Sequence, residues 1–195
     1  MGFRNSSGRP CPLHCASPPL HHDKAMNSRV LLLRGINVGG RNRLPMADLV
    51  ELVADCGGTQ VRTWIQSGNV VYRGSLDATA LGQRIEQRHG FRPETVVIDA
   101  ADFRDALEAV PFGDEDARNV HLYFFDGARP DATERLESLA SAREDWQLRE
   151  GVLYLHAPDG VARSRLVAGI DRALGVPATG RKLSTLRRVQ ELVED

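Results

Sequence analysis

From residue 29 onward, apolar and polar positions alternate between strand patterns and helix patterns. Short apolar runs bounded by turn residues predict buried strands, and apolar residues that recur every three or four positions predict helices. The first half has the order βαββαβ, which is that of the ferredoxin-like unit, followed by one more helix. Its predicted elements are strands at 29–33, 60–65, 70–72 and 95–98 and helices at 45–56, 76–89 and 100–110.

The same order nearly recurs in the second half, although the two halves share no convincing sequence repeat. The sequence predicts an α+β fold of two ferredoxin-like halves, the second incomplete, with C-terminal helices. The expected division is a disordered extension at 1–25, a first subdomain at 26–110 and a second at 111–195. The second half's predicted elements are strands at 120–125, 146–149 and 152–156 and helices at 131–139, 164–174 and 181–193.

The charge balance narrows the range of partners. Lys and Arg number 25 against 26 Asp and Glu, so the formal net charge is −1 and nucleic-acid binding would need a local basic patch. Apolar runs are too short to span a membrane, there is no secretory signal, and three cysteines form no disulfide pattern. We therefore expect a cytoplasmic protein without a membrane partner. The Cys and His residues near the start match no zinc-finger spacing, so no metal site is predicted.

The loop after the first predicted strand is the strongest candidate site. Glycines let backbone N–H groups approach a ligand, and the helix that follows adds positive potential, so the position favours an anion. The glycine spacing is that of a P-loop, but Arg41 and Asn42 replace its lysine and its Ser or Thr. A structural loop that needs glycine φ angles is the alternative. The candidate ligand residues are Arg34, Gly35, Asn37, Gly39, Gly40 and Asn42.

The predicted hairpin turn Gln66-Ser67-Gly68-Asn69 is a second candidate. Gly and Asn are what a tight turn requires, whereas the turn makes less demand on Gln66 and Ser67. Gln66, Ser67 and Asn69 are therefore candidate ligand residues. In a βαββαβ unit we expect this hairpin at the opposite end of the sheet from loop 34–42. The two would then meet only if the second half packed across that end.

Two loops of the second half precede predicted helices and supply further candidates. Ser164 and Thr179 are also suited to be helix N-caps, which is the ordinary interpretation. Arg181 and Lys182 open the last predicted helix, where positive charge opposes the helix dipole. A bound anion or an acidic partner would explain this cationic start, and solvated charge explains it almost as well. Ser164, Thr179 and Arg181 complete the set of candidate ligand residues.

Several uncommon segments occur together in order: Arg34-Gly35-Ile36-Asn37-Val38-Gly39-Gly40, Asn42, Pro45-Met46, Ile65-Gln66-Ser67-Gly68-Asn69-Val70-Val71, Pro158-Asp159-Gly160 with Ser164, and Thr179 with Arg181 and Thr185. Together they resemble the family called domain of unknown function 1697. The resemblance covers about residues 29–192, implies a fold of paired ferredoxin-like halves, and implies no activity. The family tends to read Arg-Asn-Trp-Asn-Thr near its end, whereas this chain reads Arg-Lys-Leu-Ser-Thr at 181–185. Any ligand role of that tryptophan and those asparagines is altered here.

Three functions fit these features. The first is binding of a small phosphate- or carboxylate-bearing ligand, with or without a reaction, by Arg34, the loop amides and Arg181. The second is nucleic-acid binding on the sheet, which we favour less because neither half has an aromatic-rich strand and the net charge is not positive. The third is a protein-interaction module. No nucleophile with an adjacent base and no paired carboxylates stand out, so cofactor and reaction stay open.

Overall fold

The computed structural model describes residues 28–113, 116–128 and 131–195, so the extension predicted as disordered at 1–25 lies outside the described residues. The first half consists of β1 Ser28–Leu33, α1 Met46–Asp55, β2 Gly58–Trp64, β3 Asn69–Gly74, α2 Ala78–His89, β4 Thr95–Asp99 and α3 Ala100–Glu108. The second half consists of β5 Val120–Phe124, α4 Ala132–Leu139, β6 Asp145–Arg149, β7 Val152–His156, α5 Arg165–Leu174, β8 Thr179–Lys182 and α6 Leu183–Glu194.

The two halves have the same topology. Each forms an antiparallel four-stranded sheet, with the strand orders β2-β3-β1-β4 and β6-β7-β5-β8. This confirms the predicted α+β fold of two ferredoxin-like halves. The second half is not incomplete, however, because β8 supplies its fourth strand. The four residues of β8 include one glycine and two cations and so carry no apolar run; pairing with β5 makes them a strand.

The order of layers places one core between the two sheets. Helices α1 and α2 cover the outer face of the first sheet, and α4 and α5 cover the outer face of the second. Helices α3 and α6 lie in the central cluster, where Phe103 and Leu186 pack with Val30 of β1 and Leu122 of β5. Each half thus contributes its last helix to a shared core. Among the described residues, no helix is long and apolar enough to cross a membrane.

The directions of the strands determine which loops meet. Both β1 and β2 pair antiparallel with β3, so β1 and β2 run in the same direction. The loop after β1 and the turn after β2 therefore lie at the same end of the sheet, where the N–H of Leu33 donates to the carbonyl of Gly68 at 2.8 Å. The expectation that they lie at opposite ends is wrong. Helix α1 returns the chain to the start of the sheet before β2 begins, so β2 ends where β1 ends.

Candidate functional site

Residues 38–41 form a tight reverse turn at the tip of the loop. The N–H of Arg41 donates to the carbonyl of Val38 at 3.0 Å. Gly39 and Gly40 have φ angles of +58° and +75°, which L side chains rarely adopt. A Cβ added to either glycine would meet no atom within 4 Å. The φ angles therefore explain these two glycines, without any close approach of the backbone to other groups.

Two asparagines at positive φ hold the loop in shape. Asn37 Nδ2 donates to the carbonyls of Leu44 and Gln66 at 2.9 and 2.8 Å, and its Oδ1 accepts from the N–H of Leu44 at 2.9 Å. Asn42 Nδ2 donates to the carbonyl of Gly35 at 2.9 Å. Asparagine tolerates the left-handed region better than most residues, which fits φ angles of 54° and 51°. Both side chains therefore fasten the loop, and Asn37 also fastens it to the turn after β2.

Arg34 connects the loop to the second half. Its Nη1 lies 2.6 Å from Oδ2 of Asp171 on α5, and Oδ1 of Asp171 accepts from the N–H of Ala178 at 3.1 Å. The two side chains of the ion pair are 41% and 46% exposed, so the pair stabilises the fold by at most about 1 kcal/mol. An anion at the loop would have to compete with Asp171 for this guanidinium. We therefore expect Arg34 to bind an anion less strongly than an arginine without a carboxylate partner would.

Arg181 of β8 joins the two halves more tightly. Its Nε donates to Oδ1 of Asn69 at 2.7 Å, and its Nη2 donates to the carbonyls of Leu33 and Ser67 at 2.6 and 2.8 Å. Its Nη1 donates to the carbonyl of Gly180 at 2.8 Å. Burial lowers the pKa of Arg181 to about 10. We call these contacts the Arg181 clamp; they occupy most of the N–H groups that an anion would need.

The clamp brings three predicted site residues together. Asn69 is buried, and its Nδ2 donates to Oγ of Ser67 at 2.9 Å and to the carbonyl of Trp64 at 3.1 Å. Ser67, Asn69 and Arg181 thus meet at the end of the first sheet, across 112 or more positions of the chain. The prediction that Arg181 opens the last helix is wrong, because Arg181 belongs to β8. Of the two cations expected at the start of that helix, only Lys182 is there, at the N-cap of α6.

The remaining candidates have separate positions. Ser164 caps α5, since its Oγ accepts from the N–H of Val167 at 3.0 Å, which confirms the N-cap interpretation. Asp171 is seven positions further along α5, which places Ser164 about 10 Å from the Arg34 ion pair along the helix axis. Thr179 is buried in β8, so the N-cap interpretation is wrong for it, and its hydroxyl has no hydrogen-bond partner among the described residues. The side chain of Gln66 is exposed beside the loop.

A pocket of about 460 Å³ lies between the loop and the start of α1. Arg43 was not among the predicted site residues, although it stands only two positions before the helix-starting Pro45. Its side chain is exposed, and no carboxylate in the described part of the chain pairs with it. No side chain caps the first turn of α1. The pocket is lined by Asn37, Gly40, Arg43, Leu44, Pro45, Met46 and Gln66.

These features define a class of α+β protein in which two ferredoxin-like halves share a core and are clamped together by a half-buried arginine. The family model described as a protein of unknown function, DUF1697, matches residues 26–154, and the chain belongs to this family. The resemblance predicted for residues 155–192 lies beyond that match and stays a prediction. No curated protein matches the chain.

A solved structure has the same fold. It is the conserved bacterial protein SP0830 from Streptococcus pneumoniae, which is 24% identical to this chain. The superposition covers 88% of this chain and 100% of the other, with a TM-score of 0.68. At this identity the likeness concerns the fold alone. The arrangement of two joined ferredoxin-like halves is thus shared with that bacterial protein.

Proposed function

We propose that the protein binds a small anionic ligand, bearing phosphate or carboxylate, in the pocket beside loop 34–42. The observation that carries the proposal is the position of Arg43, an exposed guanidinium without a described carboxylate partner, beside the uncapped start of α1. Arg43 thereby takes the ligand-binding role that we expected from the sequence for Arg34 and Arg181.

The chemistry of the pocket suits an anion. The first N–H groups of a helix have no partner within the helix, and together with the helix dipole they favour negative charge. A guanidinium adds a planar pair of donors that matches phosphate or carboxylate. A volume of about 460 Å³ falls within the usual range for small-molecule pockets. The carboxylate of Asp48 in the first turn of α1 is an opposing charge, and it lies 3.5 Å from Nη2 of Arg88.

The hydrogen bonds of the loop support the same proposal indirectly. The bonds from Asn37 to the carbonyls of Leu44 and Gln66 fix the pocket walls before any ligand arrives. A wall that is already ordered loses little conformational entropy on binding. The asparagines are therefore positioning residues, and Arg43 is the residue that we expect to touch the ligand.

The experiment is a thermal-shift screen followed by calorimetry, using inorganic phosphate, nucleotides, sugar phosphates and carboxylic acids. A ligand that binds only the folded protein at one hundred times its Kd adds about 2.7 kcal/mol of stability. We expect Arg43→Ala to weaken binding at least about tenfold, the usual loss for one charge-assisted hydrogen bond. Arg41→Ala is the matched control, because Arg41 is exposed in the same loop but does not line the pocket. Absence of any shift, or equal losses in the two variants, contradicts the proposal.

Protein binding at the same end of the molecule is the second candidate. The side chains of Val38, Trp64 and Ile65 are 65%, 37% and 52% exposed, and exposed apolar groups around a rigid loop are typical of interaction surfaces. Replacing Val38 and Ile65 together by serine would abolish such an interaction and leave anion binding at Arg43 intact. Retention of single-stranded RNA that weakens with salt would instead favour the nucleic-acid alternative.

A further inference from the structure

The two halves meet at two junctions that correspond residue by residue. In the first sheet Val30 of β1 pairs with Ile98 of β4, and in the second sheet Leu122 of β5 pairs with Arg181 of β8. The edge strands β4 and β8 therefore correspond, and position 98 is the counterpart of position 181. One junction, at the free edge of β8, contains the Arg181 clamp.

The partners of Arg181 have counterparts as well. The N–H of Leu33 donates to the carbonyl of Gly68, and in the same way the N–H of Phe125 donates to the carbonyl of Gly151. This register makes Glu150 the counterpart of Ser67. Nη2 of Arg181 also lies 3.5 Å from the carbonyl oxygen of Gly68. The partner residues of Arg181 in the first half are Leu33, Ser67, Gly68 and Asn69, and their counterparts are Phe125, Glu150, Gly151 and Val152.

These four counterparts all line an open cleft of about 1050 Å³, which we call the β4 cleft. Ile98 lines it too, at the position where the other junction has its arginine. An isoleucine side chain cannot donate to the carbonyls of Phe125 and Glu150, and no hydrogen bond from a described side chain reaches either of them. At the junction beside β8, the guanidinium of Arg181 therefore binds the carbonyls. At the junction beside β4, the corresponding carbonyls face an open cleft.

The charges around the β4 cleft fit a cation. Two arginines line the β4 cleft, and one of them, Arg29, is paired with the carboxylate of Asp99 at 2.7 Å. The other cation, Arg149, lies over the ring of Tyr154 at 5.5 Å. The carboxylates outnumber these two guanidiniums and belong to Asp99, Asp102, Asp105, Asp126 and Glu150.

The shape of the β4 cleft fits an extended chain. All five residues of β4, Thr95–Asp99, line it, and within the described sheet β4 pairs only with β1. Alternate backbone N–H and C=O groups on the outer edge of such a strand are available to another strand. Five strand residues span about 17 Å, which is several times the width of one guanidinium, so the edge of β4 is long enough for a peptide segment. Val97 on this edge is 40% exposed, so an apolar side chain is also available to a partner.

We propose that the β4 cleft binds an extended, arginine-containing segment of a partner protein. The segment pairs with the free edge of β4, and its guanidinium donates to the carbonyls of Phe125 and Glu150, as Arg181 donates to those of Leu33 and Ser67. Arginine is favoured over lysine because its planar fork reaches several carbonyls at once. The inference is independent of the anion pocket, since no residue is common to the two linings.

The test compares two arrays of eight-residue peptides with randomised flanks, one with arginine and one with citrulline at the centre. Citrulline has nearly the same shape without the charge. We expect the full-length protein to bind a subset of the arginine peptides at least tenfold more tightly than their citrulline equivalents, and bound peptide to slow amide exchange in β4. Equal binding of the two arrays, or no binding, overturns the proposal. Tight binding of free guanidinium compounds without the flanking peptide overturns the choice of a peptide partner.

Variants of the protein locate the binding. Asp126→Asn with Glu150→Gln removes two carboxylates near the protein surface and should weaken the arginine peptides at least tenfold while leaving the citrulline peptides unchanged. Ile98→Arg places the missing guanidinium in the chain itself and should block the peptides. If Ile98→Arg fails to fold, the carboxylate variant alone decides. Glu137→Gln is the matched control, because Glu137 is an exposed carboxylate on α4 that does not line the β4 cleft, and a loss of peptide affinity in that variant would place the binding elsewhere.

Discussion

Replacement of Arg181 by alanine tests whether the clamp is structural. In the folded protein Arg181 donates to Leu33 O at 2.6 Å, Asn69 Oδ1 at 2.7 Å and Ser67 O at 2.8 Å. A buried acceptor left without a donor costs about 1–3 kcal/mol, so three acceptors cost about 3–9 kcal/mol. Water entering the space left by the side chain satisfies part of this loss. Partial burial of the guanidinium is itself unfavourable, because it removes water from the charged group, and this also lowers the pKa of Arg181. We therefore expect a loss near the lower limit, about 3 kcal/mol.

The assay is equilibrium unfolding in urea. With an m value of about 1–3 kcal/mol/M, a loss of 3 kcal/mol lowers the midpoint by about 1–3 M. Arg181→Lys should give a smaller loss, because an ammonium keeps three donors but lacks the planar fork. Arg187→Ala is the matched control, since Arg187 is exposed on α6, and surface substitutions usually change stability by less than about 0.5 kcal/mol. If Arg181→Ala unfolds at the same midpoint as Arg187→Ala, the structural role assigned to the clamp is refuted.

Two further predictions concern Gly180 of β8 and His121 of β5, both in the second sheet. A Cβ at Gly180 would lie 2.4 and 2.7 Å from ring atoms of Tyr123, so Gly180→Ala should lower the free energy of unfolding by about 1–3 kcal/mol. Gly82→Ala in α2 of the first half is the control and should be neutral or stabilising in the same assay. There the new Cβ meets only the exposed side chain of Arg92, with Nε nearest at 3.1 Å, and alanine favours helix. Burial lowers the pKa of His121 in the folded protein below the usual value of 6.5. As the pH falls below 6.5, the unfolded chain therefore binds a proton at this residue before the folded protein does. The free energy of unfolding decreases until the pH reaches the pKa of the folded state. The urea midpoint should therefore fall less between pH 8 and pH 5 in His121→Leu than in the wild type; equal falls would contradict this reasoning.

Local sequence determined the elements and most of their order. The apolar spacing in 29–33 and 45–56 predicted β1 and α1, because a strand or a helix with one buried face requires that periodicity whatever its partner is. The glycines at 39 and 40 are likewise local, since their positive φ angles belong to a four-residue turn. Membership of the family could likewise be recognised without a structure, because the family model matches residues 26–154 of the sequence.

Tertiary structure alone decided what the polar residues of the loop contact. Arg34 is 137 positions from Asp171, and Arg181 is 112 positions from Asn69, so no periodicity or spacing in the sequence records these pairs. The same holds for β8, whose residues have no strand pattern and become a strand by pairing with β5. Hydrophobic burial is read from short repeats along the chain, whereas a hydrogen bond depends on where two distant backbones meet. For that reason the sequence predicted the halves of this protein, and only the folded chain shows how an arginine fastens them together.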